Sequence, residues 1–181
     1  VYASQWNGEK KHWRSTITHF HSSDLKYWES SVVIEGIEQP QQRERLFNSS
    51  VCPTPDGFAM AYESDCQPYP PFTIKFATST DLDHWTVVRD AVYGKTFYAA
   101  CPTIRFVNGW YYVMHLAYRG PALWYETDII RARQLADEPL WEKSPLGPFL
   151  DPIPGEDINT SDVDLVETDG RVLMYYSWGS Q

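Results

Sequence analysis

Short apolar runs bounded by turn residues follow one another along this chain in a fixed order. Ser50 to Cys52 opens a strand, Asp56-Gly57 is a two-residue turn signal, and Phe58-Ala59-Met60-Ala61-Tyr62 reads as a buried strand. A proline-rich loop from Gln67 to Pro71 comes next. Phe72 to Thr78 then alternates as a third strand, and Trp85 to Val88 makes a fourth. The order repeats with Pro102 to Val107, the turn Asn108-Gly109, Trp110 to Met114 and Trp124 to Ala132. It starts again with Val163 to Val166, turns at Asp169-Gly170 and continues from Val172 to Tyr176. At the N-terminus, Val1 to Trp6 and Arg14 to Phe20 read as the second and third strands of a unit whose first strand is missing.

A short motif marks where units close. Ser22 to Trp28 and Ser79 to Trp85 share Ser-x-Asp-Leu-x-x-Trp, 57 positions apart. In the next unit Gln134-Leu135 stands where Asp-Leu is expected, and Trp141 comes three residues late. Repeats of this length built from strands predict a repeat architecture rather than a single core. Four short antiparallel strands per unit describe a propeller blade. The expected fold is all-β, a β-propeller of four-stranded antiparallel blades with about three blades present. It divides into a half blade 1–35, a blade 46–92, a blade 98–145 and a half blade 158–181. Both ends fall inside blades, so the chain is expected to be part of a longer propeller, closed by its remaining blades or by another chain. The motif itself reads as structural. Its Asp caps a turn by binding backbone N–H groups, and its Leu and Trp are expected to pack between blades. A catalytic group is needed once per site, whereas a packing device is needed once per blade.

Composition narrows the function classes. A net charge of −9 over 181 residues argues against a nucleic-acid partner, which requires Lys/Arg patches. No apolar run approaches the roughly 20 residues that span a membrane, so no membrane partner is expected. The chain starts at Val1 in strand-like text, without Met and without a visible leader; a secreted or periplasmic location is favoured. Eight Trp and twelve Tyr suit a β-rich core or a sugar-stacking cleft. Cys52, Cys66 and Cys101 have no metal-binding spacing, and three cysteines cannot all pair within one chain; they read as buried thiols.

The unit order of first strand, Asp/Asn-Gly turn, aromatic strand, third strand and Ser-x-Asp-Leu-x-x-Trp resembles the five-bladed propellers of glycoside hydrolase families 43 and 32. Three segments carry the likeness further. Phe47-Asn48-Ser49-Ser50-Val51 is similar to a second-blade segment of family 32. Tyr98 to Ile104 and Ser144-Pro145-Leu146-Gly147-Pro148-Phe149 are similar to segments in and after the second blade of family 43. The resemblance implies hydrolysis of glycosidic bonds in an oligo- or polysaccharide by carboxylates on the propeller axis. One carboxyl protonates the leaving oxygen, and another attacks or activates water. The chain departs from that pattern. Nine residues before each turn glycine, where the axial carboxylate is implied, stand Asn48, Ala100 and Ser161. Only the last has carboxylates near it, Asp162 and Asp164, which strand alternation puts on one face. Asp162 is the foremost catalytic candidate and Asp164 the second. The blade that carries the base in these families would have its inner strand upstream of Val1. A non-catalytic carbohydrate-binding propeller is the rival reading, and a protein-interaction scaffold a third.

Further candidates are weaker. Asn48, Tyr98, Glu63 and His115 are candidate substrate-binding residues, with Glu63 read mainly as a solvated strand end that could reach a cleft rim and His115 mainly as a core histidine. Trp6, Trp124 and Trp178 are possible stacking platforms, and Glu126 and Glu167 are acids by residue type alone. His19 and His21 straddle Phe20 and share a strand face, but no third ligand is near in sequence, so no metal site is assigned. No cofactor is implied, and a structural calcium stays open. Asn48-Ser49-Ser50 and Asn159-Thr160-Ser161 fit the glycosylation pattern, yet both fall at blade starts that the fold should shield.

Overall fold

The computed structural model describes residues 1–7, 14–39, 42–66, 68–69, 72–118, 125–150, 153–156 and 159–179. It is all-β. The strands β1 (Tyr2–Asn7), β2 (Arg14–His21) and β3 (Glu29–Glu35) form one antiparallel sheet in chain order. A small hairpin of β4 (Glu38–Gln39) and β5 (Gln42–Arg43) leads into a four-stranded antiparallel meander. This second sheet comprises β6 (Leu46–Thr54), β7 (Gly57–Ser64), β8 (Thr73–Ser79) and β9 (Trp85–Tyr93). The third sheet has β10 (Ala99–Val107), β11 (Trp110–Tyr118), β12 (Tyr125–Ala132) and a stub β13 (Glu142–Lys143). The last sheet is the hairpin of β14 (Thr160–Thr168) and β15 (Arg171–Trp178). Among the described residues no helix is long and apolar enough to cross a membrane.

Period-two alternation explains how the second sheet buries both faces. Met60, Tyr62 and Ala77 point to one side and join Ile17, Ile34 and Leu46 in a core shared with the first sheet. Ala59, Ala61, Ile74 and Phe76 point to the other and meet Ala99, Ile104, Val113, Ile130 and Trp141 of the third. Trp141, outside any strand, stacks on Phe76 at 5.1 Å between ring centres and thereby closes the third sheet. The β14–β15 hairpin lacks such cover: Val172, Leu173, Met174 and Tyr175, which alternate between its two faces, are exposed.

The first strands of successive sheets lie side by side and are tied by side chains rather than by a backbone ladder. Ile104 N donates to Ser50 Oγ at 3.2 Å, joining β10 to β6. Thr103 Oγ1 donates to the Val163 carbonyl at 2.6 Å, joining β10 to β14.

Of the three expected two-residue turns, two hold and one needs correction. Asn108-Gly109 and Asp169-Gly170 are two-residue hairpin turns in which both residues have positive φ. In the second sheet, Thr54 pairs with Gly57, so Pro55 and Asp56 reverse the chain and Gly57 opens β7. The Ser-x-Asp-Leu-x-x-Trp motif is a turn cap, as expected. Ser79 Oγ accepts from Asp81 N (3.1 Å) and Leu82 N (2.9 Å), and Asp81 Oδ1 accepts from Asp83 N (2.9 Å) and His84 N (2.8 Å). The first copy repeats the pattern around Ser22 and Asp24. Its Leu is not a buried packing residue, however. Leu25 is exposed and adopts φ +61°, and Leu82 adopts φ +73°, because the turn needs a left-handed residue there. The second copy reaches a seam: Trp85 packs edge-on to Tyr2 at 5.7 Å, and Tyr2 Oη donates to the Leu82 carbonyl at 2.7 Å.

Candidate active site

Each of the three first strands is interrupted near its start by the same irregularity. Pairing slips by one residue between Phe47 and Ser49, between Ala100 and Thr103, and between Ser161 and Asp164. At each slip one non-glycine residue has positive φ: Asn48 (28°), Cys101 (47°) and Asp162 (53°). A bulge of this kind turns a side chain out of the pleat. The equivalent positions are therefore Asn48, Cys101 and Asp162, not Asn48, Ala100 and Ser161. The count back from the glycine misplaces two of them because Gly57 begins a strand whereas Gly109 and Gly170 lie within their turns.

Glu63, from the end of β7, organises this ring. It is 3% exposed. Its Oε2 accepts from Asn48 Nδ2 at 3.1 Å and from the backbone N–H of Cys101 at 2.9 Å, so one carboxylate holds two of the three bulges. Asn48 Nδ2 also lies 3.4 Å from Cys101 Sγ. Burial pushes the Glu63 carboxyl above its ordinary range, and the charge of Asp162 adds to the push. The hydrogen bonds from Cys101 and Asn48 oppose this and do not cancel it. The Cys101 thiol is also pushed up, first by burial and then by the charges of Glu63 and Asp162, and it lies within hydrogen-bonding reach of both carboxylates. Asp162 is exposed, and its Oδ2 accepts from Ser161 Oγ at 3.0 Å.

Two cavities share Asn48 and Cys101 as a common wall. The first, of about 260 Å³, is lined by Asn48, Glu63, Tyr98, Cys101, Tyr125 and Ser161, among others. The second, of about 220 Å³, takes in Asn48, Cys101, Thr103, Asp162 and Asp164. Tyr98 packs against Tyr125 at 5.4 Å, and Tyr125 against Tyr118 at 5.5 Å, so one wall is aromatic. Burial, reinforced by the charge of Glu63, holds the Tyr98 hydroxyl protonated well above its usual range. A larger cavity of about 410 Å³ lies beside β12 and β13 around Tyr112, Arg131 and Lys143. It has no pair of carboxylates in contrasting surroundings, so the smaller pair is the better candidate.

The other predicted residues are distributed as follows. Asp164 Oδ1 is paired with Arg105 Nη2 and accepts from Leu165 N at 2.8 Å. Arg105 also donates to the Leu165 carbonyl at 3.0 Å, so Asp164 belongs to a latch between β10 and β14. His115 is 1% exposed, edges onto Tyr93 at 5.1 Å and lines neither cavity. Glu63 is a buried centrepiece rather than a solvated rim residue. Trp178 is exposed at the end of β15. Glu126 is half-buried on β12 and Glu167 exposed on β14. Trp124 and the side chain of Trp6 lie outside the described residues. Asn159 is buried, with Oδ1 accepting from Tyr125 N at 3.1 Å and Nδ2 donating to the Gly179 carbonyl at 3.0 Å. Sequence reading missed Cys101 and Tyr125. The positive φ at Cys101 carries no sequence signal, since cysteine is not a residue that favours it.

Comparison with known proteins adds the fold's relatives. No protein-family model matches the chain, and no curated protein matches it. Solved structures do. A glycosyl hydrolase from Bacteroides ovatus superposes with a TM-score of 0.65 at 14% identity, covering 98% of this chain and 57% of that one. The GH93 α-L-arabinofuranosidase of Fusarium graminearum, solved with arabinobiose, gives 0.57 at 18% identity, covering 78% of this chain and 43% of that one. A thermostable family-43 glycoside hydrolase gives 0.57 at 15% identity, covering 98% and 65%. The likeness is one of fold, and the chain spans less than two thirds of the length of each of these proteins.

Proposed function

We propose that this chain is the substrate-holding part of a five-bladed propeller glycoside hydrolase, with Glu63 as proton donor and Asp162 as the second axial carboxylate. The observation that carries the reading is the contrast between them. Glu63 is buried, hydrogen-bonded and raised above the ordinary carboxyl range, while Asp162 is exposed at the next-but-one bulge and its charge reaches Glu63. Two carboxyls in unlike surroundings are what acid–base cleavage of an acetal requires: one gives a proton to the leaving oxygen and the other attacks or activates water. Asn48, whose amide is already oriented by Glu63, and the Tyr98–Tyr125 wall supply a hydrogen-bonding group and aromatic surface for a sugar. Structural likeness to glycoside hydrolases supports the same class. Further blades would cover the outer face of the β14–β15 hairpin and contribute remaining groups to the axis.

Full-length protein assayed on a panel of aryl glycosides and polysaccharides tests the proposal. Glu63→Gln and Asp162→Asn should each lower kcat/KM by about 100-fold or more, the usual contribution of an acid–base group. Activity of the parent should fall on the alkaline side as Glu63 loses its proton. Turnover unchanged in both variants would remove the assignment. The rival, a non-catalytic carbohydrate-binding propeller, draws on Asn48 and Cys101, two bulge positions without a carboxyl. It predicts oligosaccharide binding with no turnover in the parent protein.

A further inference from the structure

The turn that closes the second sheet brings a third ligand to the histidine pair of the first. His19 and His21 lie on one face of β2, with ring centres 5.5 Å apart. Asp83, in the β8–β9 turn, places Oδ1 2.9 Å from His19 Nδ1. One ligand atom from each of His19, His21 and Asp83 falls within 4.8 Å of the others. Glu29, at the start of β3, stands beside them, with Oε2 3.3 Å from His21 Nε2.

We propose that His19, His21 and Asp83 form a binding site for a divalent transition metal of the zinc class, clamping the first sheet to the second. The donor set decides the ion. Two imidazoles and a carboxylate suit zinc, nickel or copper, whereas calcium and magnesium prefer oxygen ligands alone. Zinc takes nitrogen and oxygen ligands at about 2.0–2.2 Å in a tetrahedron, which separates paired donors by about 3.3 Å. The His19–Asp83 pair is already close to that separation. Three protein ligands leave one position, which water or Glu29 fills.

The surroundings hold two of the three ligands in place before any ion arrives. The His19 ring is nearly parallel to Tyr2, with centres 4.6 Å apart, and His19 is 8% exposed. Tyr2 is in turn anchored to the Leu82 carbonyl, the residue before Asp83. Asp83 N donates to Asp81 Oδ1 at 2.9 Å, which fixes the turn that presents the carboxylate. Outer contacts of this kind orient metal ligands. His21 and Asp83 are exposed, so the ion reaches the site without any opening of the fold. The site lies apart from the Glu63–Asp162 groove and does not depend on its chemistry.

Titration of the chelator-treated full-length protein with ZnCl2 at neutral pH, followed by calorimetry, is the direct test. One equivalent should bind, and the melting temperature should rise with added zinc. His21→Ala and Asp83→Asn, both at exposed positions, should each weaken binding at least 10-fold and abolish the thermal shift, with unchanged melting in chelator. His84→Ala, a histidine of the same turn that bonds to Asp81 instead, should bind zinc as the parent does. Substitution with Co²⁺ should give the visible absorption of a four-coordinate site in the parent and not in His21→Ala. No one-to-one binding, or binding in His21→Ala and Asp83→Asn as tight as in the parent, overturns the proposal.

Discussion

Glu63 owes its proposed chemistry to position, not to residue type. A carboxyl raised by burial stabilises the fold while protonated and loses that contribution as pH rises through its shifted value. Its ordinary value is 4.5, so below that pH the group is neutral whether the chain is folded or not. Above it the folded chain bears a penalty that the neutral amide of Glu63→Gln escapes, and the amide oxygen still accepts from Asn48 and Cys101. The melting temperature of Glu63→Gln relative to the parent should therefore climb as pH rises from about 4.5, then level off. A difference that stays constant from pH 4 to pH 8 would mean the folded site does not disfavour the charged carboxyl. Little of this was legible in the chain. Glu63 is visible as a polar residue after Ala61-Tyr62, but its burial depends on Cys101 donating a backbone N–H from a strand 38 positions further on. Asp162 was legible because it is a carboxylate at the start of a strand.

Strands and hairpins were the readable level. Period two in Phe58 to Tyr62 and Phe72 to Thr78, with Asn-Gly and Asp-Gly between runs, leaves few alternatives to an antiparallel meander. Bulges were not readable, because a one-residue slip preserves the apolar pattern on either side while moving one residue out of it. The differing roles of the turn glycines were hidden for a similar reason. At Gly57 (φ +129°) an added Cβ would sit 2.3 Å from the Ser79 carbonyl oxygen. At Gly170 (φ +69°) it would meet nothing within 4 Å. Gly57→Ala should thus cost clearly more than the about 1–2 kcal/mol of a left-handed alanine, and Gly170→Ala about that amount alone. Denaturant unfolding of the two variants separates them; equal losses would show that the clash at Gly57 relaxes freely.

At the scale of the molecule, three sheets bury apolar faces against one another and the fourth leaves Val172 to Tyr175 exposed. The seams between sheets hold both proposed sites: the bulge ring at the first strands, and the His19–Asp83 contact at the closing turn. Of the three cysteines, Cys52 and Cys66 are buried and Cys101 is half-buried. Burial holds the Cys52 thiol up at about 11 and raises Cys66 and Cys101 as well, and none is in a disulfide. A thiol reacts as thiolate, so at pH 8 all three should be alkylated by iodoacetamide far more slowly in the native protein than in urea. Cys101, at the wall between the two cavities, adds a local signal: an oligosaccharide seated there should slow its labelling without changing that of Cys52. Equal slowing at both would report tightening of the whole chain instead. The sulfur in the wall of the proposed groove would thus act as a built-in occupancy gauge, readable by mass spectrometry.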